Sequence, residues 1–240
     1  MRGWAGFSGT ALQIVAVLSM TCDHIGAAII REGQIPWAIV QRDMPALFAL
    51  RAIGRIAFPV FAFLLAQGMA HTHSRKAFIL RLGAFSLLSE IPFDLALFGV
   101  WFYPDYQNVF FTLFLGAVSI AILDYGERGS GVIAVLGLAL VAQALNTDYA
   151  ALGVLTVVMF WVLAPKGRWG VAVVLLLFVG NFLRYGQQLY WSCLMSLPLL
   201  LCYNGVRGGP SGSVGKALRK WGFYFYYPLH LLVLFALVGR

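Results

Sequence analysis

Asp23 and His24 interrupt an otherwise apolar run of residues. An imidazole beside a carboxylate at such a place is equipped for proton transfer. Arg51 and Arg55 stand four residues apart at the head of the next apolar run, and Glu90 and Asp94 stand four apart near the end of the third. Residues at that spacing share one helix face. A carboxylate or guanidinium placed mid-bilayer costs roughly 2.5–3.5 kcal/mol on insertion scales, so such groups face the protein interior and mark a working site by default. Together they supply a base, cations that can meet a developing negative charge, and carboxylates that can fix a tautomer, which is the equipment of group transfer. The same residue types also line proton-coupled transport pathways, or simply join helices.

The elements that must carry these residues are membrane helices. Of 240 residues, 61% are hydrophobic and 11% charged, with a mean hydropathy of +0.83. That is far from the composition of a soluble domain. Apolar stretches recur from end to end and predict an all-α polytopic bundle, a single transmembrane domain over 1–240. Nine spans are expected, at roughly 10–30, 51–70, 76–98, 108–124, 131–145, 149–164, 168–183, 187–203 and 221–238. Those from 131–145 to 187–203 are short for a hydrocarbon core of about 30 Å, so one pair could be re-entrant. Thr10 can cap the first helix. The stretch at about 204–220, rich in Gly and Ser, is expected to be a flexible loop. The net charge of +8 fits topology better than a nucleic-acid partner, because most Lys and Arg fall on loops of one side. That side is then cytoplasmic and holds the N-terminus, in a multi-pass protein of the bacterial inner membrane. The first apolar stretch resembles a signal peptide, but Asp23-His24 stands where a cleavage site would be needed, so the helix is expected to be retained.

Helix rise converts this topology into depth at about 1.5 Å per residue. Asp23 and His24 then lie about 20 Å along the first span, in its outer half. Arg51, Arg55, Glu90, Asp94 and Asn108 reach the same level from their own spans. Arg51 and Arg55 are expected to pair with the carboxylates of the third span. Asp23 and His24 point about 100° apart, so a carboxylate of the third span or a side chain of the last span is the better partner for His24. His230, after Tyr226-Tyr227-Pro228, is placed to orient His24 or to line a channel for an acyl donor. Cys22, Cys193 and Cys202 have no metal-ligand spacing, His71 and His73 share a face only in an extended chain, and no metal is expected.

Three stretches together resemble the TraX family: Leu12 to Gly26 with Asp-His-Ile-Gly, Arg51 to Phe63 with Gly-Arg-Ile-Ala-Phe-Pro, and Arg81 to Asp94 with Ser-Glu-Ile-Pro-Phe-Asp. Gln107 to Leu113 and Phe223 to Leu231 fit the same order, whereas 131–203 is generic. The family comprises membrane proteins associated with N-acetylation of conjugative pilin subunits. It is in turn similar to polytopic acyltransferases that use cytoplasmic acyl-CoA and rely on a histidine in an early helix, which His24 matches. The resemblance implies a membrane-bound acetyltransferase taking acetyl from acetyl-CoA to a pilin amine or an envelope glycan hydroxyl. His24 would be base or acyl carrier, Arg55 or Asn108 would meet the oxyanion, and Glu90 and Asp94 would hold the imidazole or balance Arg55. Arg75, Lys76, Lys166, Arg168, Arg219 and Lys220, on the inner side, could bind the phosphates of acyl-CoA. A proton-coupled transporter and a non-catalytic pilus or envelope assembly factor are the competing expectations. The absence of an internal repeat weighs against the transporter.

Overall fold

The computed structural model describes residues 6–30, 35, 37–126, 128–185, 189–210 and 212–238. Its helices are α1 (Gly9–Ile30), α2 (Trp37–Asp43), α3 (Pro45–Gly54), α4 (Ala57–His71), α5 (Arg75–Leu97), α6 (Val109–Tyr125), α7 (Arg128–Ala144), α8 (Ala150–Leu163), α9 (Arg168–Tyr185), α10 (Leu189–Ser192), α11 (Leu197–Leu201) and α12 (Gly212–Val238). Among the described residues there is no β-strand, only isolated bridges at Phe7–Tyr203 and Gln107–Thr147. The chain forms two compact units. One takes Met1–Phe61, Ile91–Phe102 and Phe178–Arg240; the other takes Ala62–Glu90 and Tyr103–Leu177.

In the first unit α1 packs along α3 and α12. Its N-terminus is capped by Ser8, whose Oγ accepts from the Ala11 amide at 3.2 Å. Thr10, the expected cap, instead donates its hydroxyl to the carbonyls of Arg207 and Gly208 at 3.0 and 3.1 Å. Backbone bonds from Phe7 to Cys202 and from Gly9 to Val206 continue this seam, so the start of α1 lies against the segment that precedes α12.

The expected span at 51–70 is longer and broken. It begins at Pro45 and is interrupted at Arg55-Ile56. Pro59 explains the break: it has no amide to offer the Arg55 carbonyl, and its ring crowds that carbonyl. The hydroxyl of Ser19 on α1 meets the carbonyls beside the break, donating to Ile53 at 2.6 Å, which also accepts from the Ile56 amide, and to Gly54 at 3.2 Å. Pro198 acts in the same way on the expected span at 187–203, which is not one helix but α10, a 3-10 turn at Cys193–Ser196, and α11. The expected flexible stretch at 204–220 is shorter than its composition implied, because α12 begins at Gly212. Lys216-Ala217-Leu218-Arg219-Lys220 are strong helix formers and extend the last span toward its N-terminus.

In the second unit α6, α7 and α8 pack on one another around Leu115, Ala139, Ala142 and Val154. Small residues set the spacing. A Cβ on Gly116 would lie 2.8 Å from Val157. The loops at one end of these helices are tied by Gln107 and Asp148 backbone bonds and by Thr112 Oγ1 donating to Thr147 Oγ1 at 2.9 Å.

Gly9–Ile30, Pro45–His71 and Lys220–Val238 are long and apolar enough to cross a bilayer. Val109–Tyr125, Gly129–Ala144, Ala150–Lys166 and Arg168–Gly180 are apolar but shorter. α5 has the length, with 23 residues, yet carries Arg75, Lys76, Arg81, Glu90 and Asp94.

Candidate functional site

The sequence left two partners open for His24, a carboxylate of the third span or a side chain of the last, and α12 provides one. His24 Nδ1 lies 2.7 Å from His230 Nε2, and both residues are buried. The two rings are nearly parallel, at 15°. His230 Nδ1 is 2.9 Å from the carbonyl oxygen of Tyr226, one turn back on the same helix. The Tyr226 ring stacks on His230 with centroids 4.9 Å apart, and Tyr227 sets its edge against both imidazoles. The Tyr226 hydroxyl is 2.7 Å from Thr21 Oγ1, whose own hydrogen goes to the Val17 carbonyl at 2.9 Å, so Tyr226 is the donor to Thr21. Thr21 and His24 are three apart on α1 and present one face to α12. His230 is therefore buried where α12 meets α1.

One residue away, Asp23 lies between two guanidiniums. Arg51 Nη1 is 3.0 Å from its Oδ2 and Arg55 Nη2 is 3.7 Å from its Oδ1. Both arginines thus meet a carboxylate from α1, a partner that spacing alone did not assign to them. Two glycines permit it. Gly26 receives the aliphatic stem of Arg51, with the nearest carbons 3.1 Å from where a Cβ would stand. Gly54 faces Asp23 so closely that a Cβ there would overlap the Asp23 side chain and come within 2.7 Å of its Cα. Gly54→Ala is accordingly expected to destabilise the protein by about 1–3 kcal/mol, the usual cost of overpacking, while Gly222→Ala, which meets open space, should be nearly neutral. Thermal unfolding of the detergent-solubilised protein measures the difference. Asp94, fully buried near the end of α5, belongs to the same unit.

Glu90 and Asn108 belong to the second unit. Asn108 caps α6, its Oδ1 accepting from the Phe110 amide at 3.0 Å. Its Nδ2 donates to the Ser86 carbonyl at 2.8 Å and to the Glu90 carboxylate. An amide nitrogen has two hydrogens, and both are engaged here, so Asn108 holds α5 to α6 rather than offering a donor to a substrate.

The basic residues differ in what they can offer. Arg75 binds Asp124, donates to the Met69 carbonyl at 3.1 Å and lies over the rings of Tyr125 and Trp161. The hydrogen bond that it donates to the Asp124 carboxylate holds its guanidinium further above the usual arginine range. Lys76 is exposed and borders an open cleft of about 460 Å³ with His73, Ser74, Arg75, Ile79 and Tyr125. Lys166 and Arg168 are exposed at the α8–α9 turn, and Lys220 lies over the Trp221 ring. The side chain of Arg219 is outside the described residues.

Sequence reasoning missed Ser19, Thr21, Gly26, Gly54 and Tyr226. Spacing could have found Ser19, four residues before Asp23, and Thr21, three before His24. The glycines carried a weaker signal, since small residues mark close helix contacts in membranes.

The sequence profile of the TraX protein family matches residues 8–238. The probable fimbrial assembly protein FimC, serogroup H1, of Dichelobacter nodosus is 25% identical over 252 residues, covering 95% of this chain and 94% of that protein. No solved structure matches. The family match takes in the histidine pair on α1 and α12 and the Asp23–arginine cluster alike, and the chain is a membrane protein that belongs to the TraX family.

Proposed function

We propose that this chain is a membrane-embedded acyltransferase that carries acetyl from cytoplasmic acetyl-CoA to an amine or hydroxyl acceptor, with His24 as base or transient acyl carrier. The observation that carries the reading is a buried imidazole hydrogen-bonded to a second buried imidazole, one residue from a carboxylate that two arginines share. Acyl transfer needs a proton acceptor for the attacking group and positive charge where the carbonyl oxygen becomes negative. His24 supplies the first. Arg55, the less enclosed of the two guanidiniums, supplies the second.

In this reading the protein is a multi-pass inner-membrane protein of nine spans with its N-terminus in the cytoplasm. The seam between the start of α1 and residues 202–208 supports putting both on one side. Within the second unit, the Arg75–Asp124 pair and the Gln107–Asp148 seam support the same alternation. Lys76, Lys166 and Arg168, all of the second unit, are the exposed cations offered to the phosphates of acetyl-CoA; Lys220 is an exposed cation of the first unit. Arg75 shapes that surface from its place on Asp124. The acceptor is a pilin N-terminal amine or an envelope glycan hydroxyl.

The test is transfer of labelled acetyl from acetyl-CoA by the full chain reconstituted in lipid vesicles, with a pilin-derived peptide and a glycan offered as acceptors. Label in either supports the reading. No label in either, together with solute flux that needs no acetyl-CoA, would replace it with transport. The name of the Dichelobacter relative favours a second reading, an assembly factor without catalysis. Fimbriation that survives loss of the His24 imidazole would select that alternative.

A further inference from the structure

We propose that His230 is a positioning residue that holds neutral His24 as its Nδ1–H tautomer, leaving Nε2 as the basic atom of the site. This rests on the reading of His24 as the reactive group and specifies which of its nitrogens acts.

The direction of each hydrogen bond follows from its far end. A backbone carbonyl only accepts, so the contact of 2.9 Å between Tyr226 O and His230 Nδ1 requires the hydrogen on that nitrogen. A neutral imidazole carries one ring hydrogen, so His230 Nε2 presents a lone pair. The atom 2.7 Å from that lone pair is His24 Nδ1, which must be the donor. The single hydrogen of His24 is thereby placed, and Nε2 keeps its lone pair. A cationic His230 would reverse the bond and put the hydrogen of His24 on Nε2. It would also bury a charge at a side chain only 8% exposed, at the desolvation cost of an apolar interior. The neutral pair is the arrangement of lower energy.

The surroundings fix the geometry that this requires. The stack of Tyr226 on His230 and the edges of Tyr227 against both rings set the ring planes. The Tyr226–Thr21 bond sets the register of α12 on α1 three residues before His24. A histidine's reactive nitrogen is commonly chosen by the bond its other nitrogen makes. Here the chooser is a second histidine, which is itself fixed by its own helix backbone.

The experiment is ring-nitrogen NMR of the full chain labelled with ¹⁵N-histidine in lipid nanodiscs. The sequence has four histidines, and His71→Asn and His73→Asn assign the two exposed ones. The expected spectrum shows His24 with a hydrogen-bearing Nδ1 and a bare Nε2. His230→Gln, whose carbonyl oxygen still accepts, should keep that pattern. His230→Phe should release His24 to populate the Nε2–H form, and acetyl transfer should fall by about 10–100-fold, the scale on which partners that fix a histidine act. A hydrogen on Nε2 of His24 in the native protein overturns the proposal. So does a spectrum of His24 unchanged by His230→Phe. The native and His230→Gln spectra decide the matter if the phenylalanine variant fails to fold. All are recorded without acetyl-CoA, so the tautomer stands or falls apart from the transferase reading.

Discussion

Replacing His24 by asparagine is expected, on the transferase proposal, to lower acetyl transfer by about 10²–10⁴-fold, the range that a positioned proton-transfer group contributes, with the protein still inserted and folded. Asparagine suits the question better than alanine. Its amide nitrogen sits near the place of Nδ1 and can donate to the lone pair of His230, so the contact between α1 and α12 is kept. What it lacks is anything in place of Nε2. Alanine would remove both nitrogens and open a space beside Tyr227, mixing a packing loss of a few kcal/mol with the chemical one. The comparison to make is initial transfer rate at saturating acetyl-CoA, alongside melting temperature. A variant that melts like the native protein and transfers acetyl within tenfold of it would remove His24 from the mechanism. A variant that loses transfer and also melts far lower would say that the histidine pair holds helices together first. His230→Gln then provides the control, since it keeps Nε2 of His24 in place.

Much of this arrangement was legible before the structure. The positions of Asp23, His24, Arg51 and Arg55 inside apolar runs are statements of type and spacing, and burial near one another follows from the cost of leaving such groups in lipid. The angle between successive helix positions turns the search for a partner of His24 away from Asp23, to a carboxylate of the third span or a side chain of the last, and of these His230 on the last span lies within hydrogen-bond distance. What spacing does not contain is which helices touch. Spacing offers the arginines Glu90 and Asp94, which also share a face, and does not announce Asp23 as a partner, because the approach of α1 to α3 depends on Gly26 and Gly54, which carry no side chain to show it. The breaks in the second and eighth expected spans were encoded by Pro59 and Pro198. However, proline is tolerated in membrane helices when neighbours satisfy the freed carbonyls, as Pro92 and Pro228 are inside α5 and α12. Ser19 is the neighbour that makes the difference at Ile53-Gly54, and its role needs the third dimension. The loop at 204–220 was read from Gly and Ser content, which reports weak local preference and not the pull of the apolar helix that follows.

Replacing Asp23 by alanine is expected to destabilise the protein by about 3–5 kcal/mol, the usual result of removing one member of a buried ion pair. The carboxylate interacts with two guanidiniums whose side chains are 6% and 13% exposed, so its removal takes a negative charge away from two buried cations where water is scarce. At the scale of a chain of this length, the loss corresponds to roughly 10 °C in melting temperature. Asp23→Asn should cost less, because the amide oxygen still accepts from Arg51, but it restores no charge. The test that separates electrostatics from packing is a triple replacement, Asp23→Leu with Arg51→Met and Arg55→Met. Exchanging a buried charged cluster for apolar groups of similar volume is often neutral or stabilising, so the triple variant should regain most of the stability that the single one loses. On the transferase proposal it should not regain acetyl transfer, because the positive charge assigned there to the oxyanion has gone with Arg55. Recovery of both would make the cluster structural glue. Recovery of neither would mean that Asp23 and the arginines determine how α1 meets α3, in the manner of a buried polar group that selects one helix register among several. Recovery of stability alone is the outcome that a catalytic cluster predicts, since charges retained against their desolvation cost are retained for what they do and not for what they hold together.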